Sequence, residues 1–147
     1  MEQLLVYAYL LDANLISTSG YVEHINTLFE EAPDNDFLLE LQWSTSDTKR
    51  TTHLIFSRAE NHEINYDVFG EFLMEGLKEA FSQCKSLEIY CSKIISIWGR
   101  LPKEIIQTEP FWAMSYAGEP LTWGDAKQTC EILEKMFNHY RAEEEGG

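Results

Sequence analysis

The residues with which this chain could do chemistry are four histidines, three cysteines and one series of glutamates. His24, His53, His62 and His139 are the only imidazoles. A helical zinc or di-iron site needs His-Glu-x-x-His or Glu-x-x-His, because residues three or four apart share a helix face. Neither spacing occurs, and His62-Glu63 is an isolated dipeptide. No metal site and no cofactor are expected. Cys84, Cys91 and Cys130 make an odd count without a Cys-x-x-Cys pair. That pattern fits buried, reduced thiols better than disulfides or ligands. No Gly-x-Ser-x-Gly elbow and no glycine-rich phosphate loop is present. No catalytic residue is assigned, and the chain reads as a non-enzyme. Glu71, Glu75 and Glu79 recur every fourth residue. On one helix face they repel by a few tenths of a kcal/mol per pair. They read as the polar side of an amphipathic helix, with Lys78 and Lys85 diluting the charge, rather than as a cation site or docking ridge.

Charge says more than any motif. The 147 residues carry 25 acids against 11 bases, a net of −14. Nine of those acids lie between Met1 and Thr48, and the first basic residue is Lys49. A negative field of this kind repels nucleic-acid phosphates and anionic membrane surfaces. It suits a basic protein partner. The residues expected to meet such a partner are Glu23, Glu30, Glu31, Asp34, Asp36 and Glu40, with Tyr21 and Trp43 as aromatic anchors. The alternative is an ordinary solvated surface.

The N-terminus is apolar from Leu4 to Leu11 but opens with Glu2 and carries no base. It lacks the basic start and cleavage site of a secretory signal and is too short to span a bilayer. With the odd cysteine count, this predicts a cytoplasmic protein. At 44% hydrophobic and 13% aromatic residues, the chain has the means to build a core. Its length fits one domain of about 100–200 residues.

The elements that must position these residues are helices. Residues 3–11 are apolar almost all round and read as a buried helix, or less readily a strand. Ser17 to Gly20 offers N-caps for a second helix with Val22, Ile25, Leu28 and Phe29 inward, stopped by Pro33. Asp34 can cap a third, with Phe37, Leu38 and Leu41 inward. Ser46 or Asp47 can cap a fourth around Leu54 and Ile55. A fifth starts at Asn65 or Tyr66, and Phe69, Phe72, Leu73, Leu77, Ala80 and Phe81 make its apolar stripe. A sixth runs over about 86–98, its Ile and Tyr content leaving a strand possible. Pro102 opens a short helix to Gln107. The stretch 109–121 reads as an ordered aromatic loop pinned by Trp112 and Trp123, the alternative being that these indoles anchor a binding surface. Thr122 caps a last helix with Ala126, Cys130, Leu133, Phe137 and Tyr140 inward. The expectation is an all-α single domain over residues 1–141, of seven or eight helices in orthogonal or bundle-like packing, with a flexible polar tail at 142–147.

One segment carries a resemblance. Glu109-Pro110-Phe111-Trp112-Ala113-Met114-Ser115-Tyr116-Ala117-Gly118-Glu119-Pro120-Leu121-Thr122-Trp123-Gly124-Asp125, followed by Gln128-Thr129 and the helix around Leu133 to Phe137, resembles small acidic bacterial immunity proteins of polymorphic toxin systems. The segment Phe37 to Trp43 is similar to them more weakly. The resemblance implies a protein that binds and neutralises a cognate toxin, often a nuclease with a basic active site. It implies no catalytic residue. A monomer is expected. A structural or regulatory subunit of a homo-oligomer, or a small hydrolase without a recognisable motif, is the alternative.

Overall fold

The computed structural model describes residues 1–44 and 47–141, the side chain of Thr18 excepted. Those residues form eight α-helices, one 3-10 segment and no strand. The all-α expectation holds. Ser46, a candidate cap, and the tail at 142–147 lie outside the described residues. Contacts group the chain into two compact units, Met1–Asn65 and Tyr66–Gly147.

In the first unit, α1 spans Glu2–Asp12, and seven of its eleven residues are buried. Its N-cap, Met1, makes no side-chain hydrogen bond. A missing cap costs about 1 kcal/mol. Burying one large apolar side chain returns roughly 1.5–3 kcal/mol, so packing outweighs the missing cap. It ends in a Schellman motif. Asn14 adopts φ 57, its N–H donates to the Leu11 carbonyl, and the Leu15 N–H donates to that of Leu10. Asparagine tolerates this left-handed position better than most residues.

The helix α4, Thr48–Ala59, makes the main packing against α1, with Tyr9 edge-on to Phe56 at 4.9 Å. Asp47 caps it by accepting from the Arg50 N–H. Its buried face is Thr51, Thr52 and Ile55, while Leu54 is only half-buried. Two threonines can enter a core because their hydroxyls are satisfied. Thr51 Oγ1 donates to the Ser44 carbonyl at 2.6 Å, and Thr52 Oγ1 donates to the Lys49 carbonyl at 3.1 Å. Between them in sequence lie α2, Thr18–Glu31, capped by Ser17, and α3, Asp36–Trp43. The cap of α3 is Asn35, whose Oδ1 accepts from the Leu38 N–H. Asp34, expected there, is one residue too early for that bond.

In the second unit, α5 spans Tyr66–Gln83, α6 Leu87–Trp98, α7 Phe111–Tyr116 and α8 Ala126–Phe137, with a 3-10 segment at Glu119–Trp123. Glu71, Glu75 and Glu79 are all exposed, as the polar side of an amphipathic helix should be. The sixth helix, expected over about 86–98, is present as α6 and is capped by Ser86, so the strand its composition left possible does not form. Residues 102–107 form hydrogen-bonded turns instead of the expected helix, with the Ile105 N–H donating to the Pro102 carbonyl. The expected loop at 109–121 contains α7 and most of the 3-10 segment. Trp98 Nε1 donates to the Ile106 carbonyl at 2.9 Å, and Trp112 stands edge-on to Trp98 at 5.9 Å. Trp123 is 62% exposed, so it pins nothing. Asp125, not Thr122, caps α8, because Thr122 belongs to the 3-10 segment, which Gly124 ends at φ 77. The buried face of α8 is Thr129, Leu133, Met136 and Phe137; Ala126 is exposed in the first turn.

Two close approaches lock this unit. Tyr90 on α6 donates to the Leu77 carbonyl of α5 at 2.6 Å. On α5, a Cβ at Gly70 would fall 2.9 Å from Phe111 Cζ and collide with the Tyr140 hydroxyl. Gly70→Ala is therefore a test of sign. At an open helix position alanine gains about 1 kcal/mol over glycine. Here overpacking of about 1–3 kcal/mol is expected to win, lowering the urea midpoint at unchanged slope. A raised midpoint would contradict the close packing.

Candidate functional site

Six of the nine acids of the first 48 positions, Glu23, Glu30, Glu31, Asp34, Asp36 and Glu40, come together on a helical hairpin. Gln42 Nε2 on α3 donates to Asn26 Oδ1 on α2 at 2.9 Å, which sets the two helices antiparallel about the turn at 32–35. Glu23, Thr27 and Glu30 recur at four and three residues and are exposed along α2. Asp36, Glu40 and Trp43 recur in the same way and are exposed along α3. Glu30, Glu31, Asp34 and Asp36 surround the tip, and all four are exposed. Trp43 is 78% exposed at the far end of α3.

The tip is electrostatically uncomfortable. Glu30 and Glu31 occupy the last turn of α2, which contains no basic residue. A helix C-terminus already carries partial negative charge, and an acid there costs about 0.3–1 kcal/mol. Asp36, by contrast, sits favourably in the first turn of α3. The bases of the first unit, Lys49, Arg50 and Arg58, all lie on α4. Arg58 places its guanidinium 5.0 Å from the Phe37 ring, so one cation does flank the hairpin beside Asp36. The tip remains a region where negative charge exceeds positive.

Tyr21 does not belong to this face. Its side chain is wholly buried in the first unit, so it cannot serve as a surface anchor. It lies four residues before Ile25, on the apolar side of α2, which is the signal that places it. Its ring is 6.5 Å from that of Tyr7, and Tyr7 stacks on His24 at 4.3 Å. Tyr21 Oη and His24 Nε2 are buried with no hydrogen-bond partner among the described residues. Burial raises the Tyr21 phenol well above its usual range.

The remaining histidines and cysteines that the structure describes are dispersed or engaged locally. His53 is exposed on α4, and His62 Nδ1 lies 2.9 Å from the Arg58 carbonyl. All three cysteines are free thiols. Burial, with Cys130 and Cys84 nearby, pushes the Cys91 thiol up to about 11. That is the wrong direction for a nucleophile, which needs the thiolate. Among the described residues no three His, Cys, Asp or Glu side chains converge as metal ligands. No described helix is long and apolar enough to cross a membrane.

Three comparisons bear on the chain. No protein-family model, no curated protein and no solved structure matches it.

His24 gives a pH prediction. Burial lowers its folded pKa from the ordinary 6.5, against a smaller opposing effect of Glu31. The unfolded histidine therefore binds a proton that the folded one resists. The contribution is fully present above about pH 6.5 and is lost as pH falls below it. Urea midpoints measured from pH 7.5 to 5.5 should fall more steeply in the parent than in His24→Phe, which keeps an aromatic ring on Tyr7 (pH values about the histidine range). Equal slopes would mean that burial does not hold His24 neutral.

Proposed function

We propose that this chain is a non-catalytic inhibitor that binds a basic protein through the α2–α3 hairpin. On the resemblance of residues 109–137, that partner is a bacterial toxin, and the chain is its immunity protein. The observation that carries the reading is the hairpin tip. Four exposed acids surround one turn, two of them at a helix end that disfavours them. A cationic partner would relieve that repulsion on binding. Glu23 and Glu40 extend the negative surface along both helices, and Trp43 offers a large apolar ring at one end. Tryptophan is enriched among the anchors of protein interfaces, whose rims are polar.

The physics suits neutralisation. Complementary fields speed encounter to about 10⁸–10⁹ M⁻¹s⁻¹ at low salt, against roughly 10⁵–10⁶ for neutral partners. Immunity needs fast and tight capture, not turnover. Binding as a monomer in the cytoplasm completes this reading, and the free thiols agree with a reducing compartment.

The test pairs the purified chain with the protein encoded by the adjacent reading frame. Simultaneous Glu30→Lys, Glu31→Lys, Asp34→Lys and Asp36→Lys exchange is expected to slow association by roughly a hundredfold at low salt and to flatten its salt dependence. Circular dichroism checks that the variant stays helical. Unchanged binding and unchanged salt dependence would overturn the assignment of this face. Trp43→Ala is expected to act on dissociation instead, weakening binding by about 2 kcal/mol if the indole is an anchor.

A further inference from the structure

The second unit contains a cavity that the acidic hairpin does not use. It lies between α7 and α8 and encloses about 310 Å³. Ile132, Lys135 and Met136 line it from one face of α8, and His139 lines it from just beyond the end of that helix. From α7, Ala113 and Tyr116 line it, also three apart, and Glu109 closes the end.

The polar groups of this lining have opposite characters. Lys135 supplies a full positive charge and Glu109 a full negative one. Tyr116 Oη donates to Glu109 Oε1 at 3.3 Å, leaving the other carboxylate oxygen for a further donor. Burial, the Glu109 charge and this hydrogen bond all raise the Tyr116 pKa, so the phenol stays a donor. His139 adds an imidazole to the lining. The rest of the wall is aliphatic.

That combination selects among ligand classes. A simple carboxylate would satisfy Lys135 but would sit beside Glu109. A simple amine would satisfy Glu109 but would face Lys135. A neutral apolar molecule would use the aliphatic wall but neither charge. A zwitterion with an apolar body meets all three demands. Ligand sites usually measure about 300–1,000 Å³, so this one accepts a single small molecule and not a peptide.

We infer that the α7–α8 cavity is a binding site for a free amino acid with an aliphatic or thioether side chain. The ligand carboxylate pairs with Lys135. Its ammonium donates to Glu109, which Tyr116 holds in place. Its side chain lies against Ala113, Ile132 and Met136. This site is separate from the hairpin and does not depend on the partner proposed for it.

Isothermal titration of the full chain with L-leucine and L-methionine tests the inference. The controls are 4-methylpentanoic acid, which lacks the ammonium, and 3-methylbutylamine, which lacks the carboxylate. Leucine should bind saturably and shift the Tyr116 and His139 signals in proton–nitrogen or aromatic spectra. Each control should bind roughly tenfold or more weakly, the loss of one charge-assisted contact. Lys135→Met should weaken leucine but not the amine, and Glu109→Gln should weaken leucine but not the acid. Both positions are exposed, so neither change threatens folding. The inference is overturned if the acid or the amine binds as well as leucine, or if both variants bind leucine undiminished. It is equally overturned if neither amino acid binds at concentrations up to about 10 mM.

Discussion

A helix that is apolar on every side cannot face water anywhere, and α1 is such a helix. From Leu4 to Leu11 only Tyr7 escapes burial. The rest of the first unit is arranged to cover it. The helix α4 lies along one side and contributes threonines whose hydroxyls are spent on local carbonyls, so the covering surface stays effectively dry. Another side meets α2. Its apolar edge, Tyr21 and Ile25, is drawn inward, and the opposite edge, with Glu23, Thr27 and Glu30, is left to solvent. The acidic hairpin is thus the outer side of a structure whose inner side is dictated by one hydrophobic segment.

The second unit solves a different problem. Its core is aromatic, with Phe81 against Tyr90 and Phe137, and Phe69 against Phe111. Large rings leave little slack, so the backbone must give way at chosen points. Gly70 admits Phe111 and Tyr140 to the surface of α5. Gly118 does the same for Cys91, where an added Cβ would fall 2.8 Å from the cysteine Cβ. The short α7 packs against both α6 and α8, and its free face opens on the cavity beside α8.

The long helices were legible because several turns of apolar periodicity outvote any single residue. The stripe from Phe69 to Ala80 is the clearest case. The segment 109–125 was not legible, because a six-residue helix and a five-residue 3-10 segment are too short to show a period. The two prolines and two glycines of the segment then argue for loop. Thr51 and Thr52 were missed because hydroxyls read as surface until their partners are known. On the hairpin, the acids were readable as acids, but their gathering at one tip needed the register set by Asn26 and Gln42. Tyr21 was readable as core from Ile25, four residues on, but its ring also suits an interface, and composition alone does not choose. The cavity had no signal at all. Its two walls are some twenty residues apart in sequence, and no local pattern links Glu109 to Lys135.

The acids at the end of α2 have a consequence for the protein at rest. Four carboxylates around one turn hold a cloud of small cations within about a Debye length, roughly 8 Å at physiological ionic strength. Such ions lessen the repulsion among the carboxylates at the last turn of α2. In dilute buffer the cloud thins, and that turn should be the first helical backbone of the hairpin to exchange its amide hydrogens. Any large polycation settling on the tip would set the small ions free, and their gain in entropy would favour the complex.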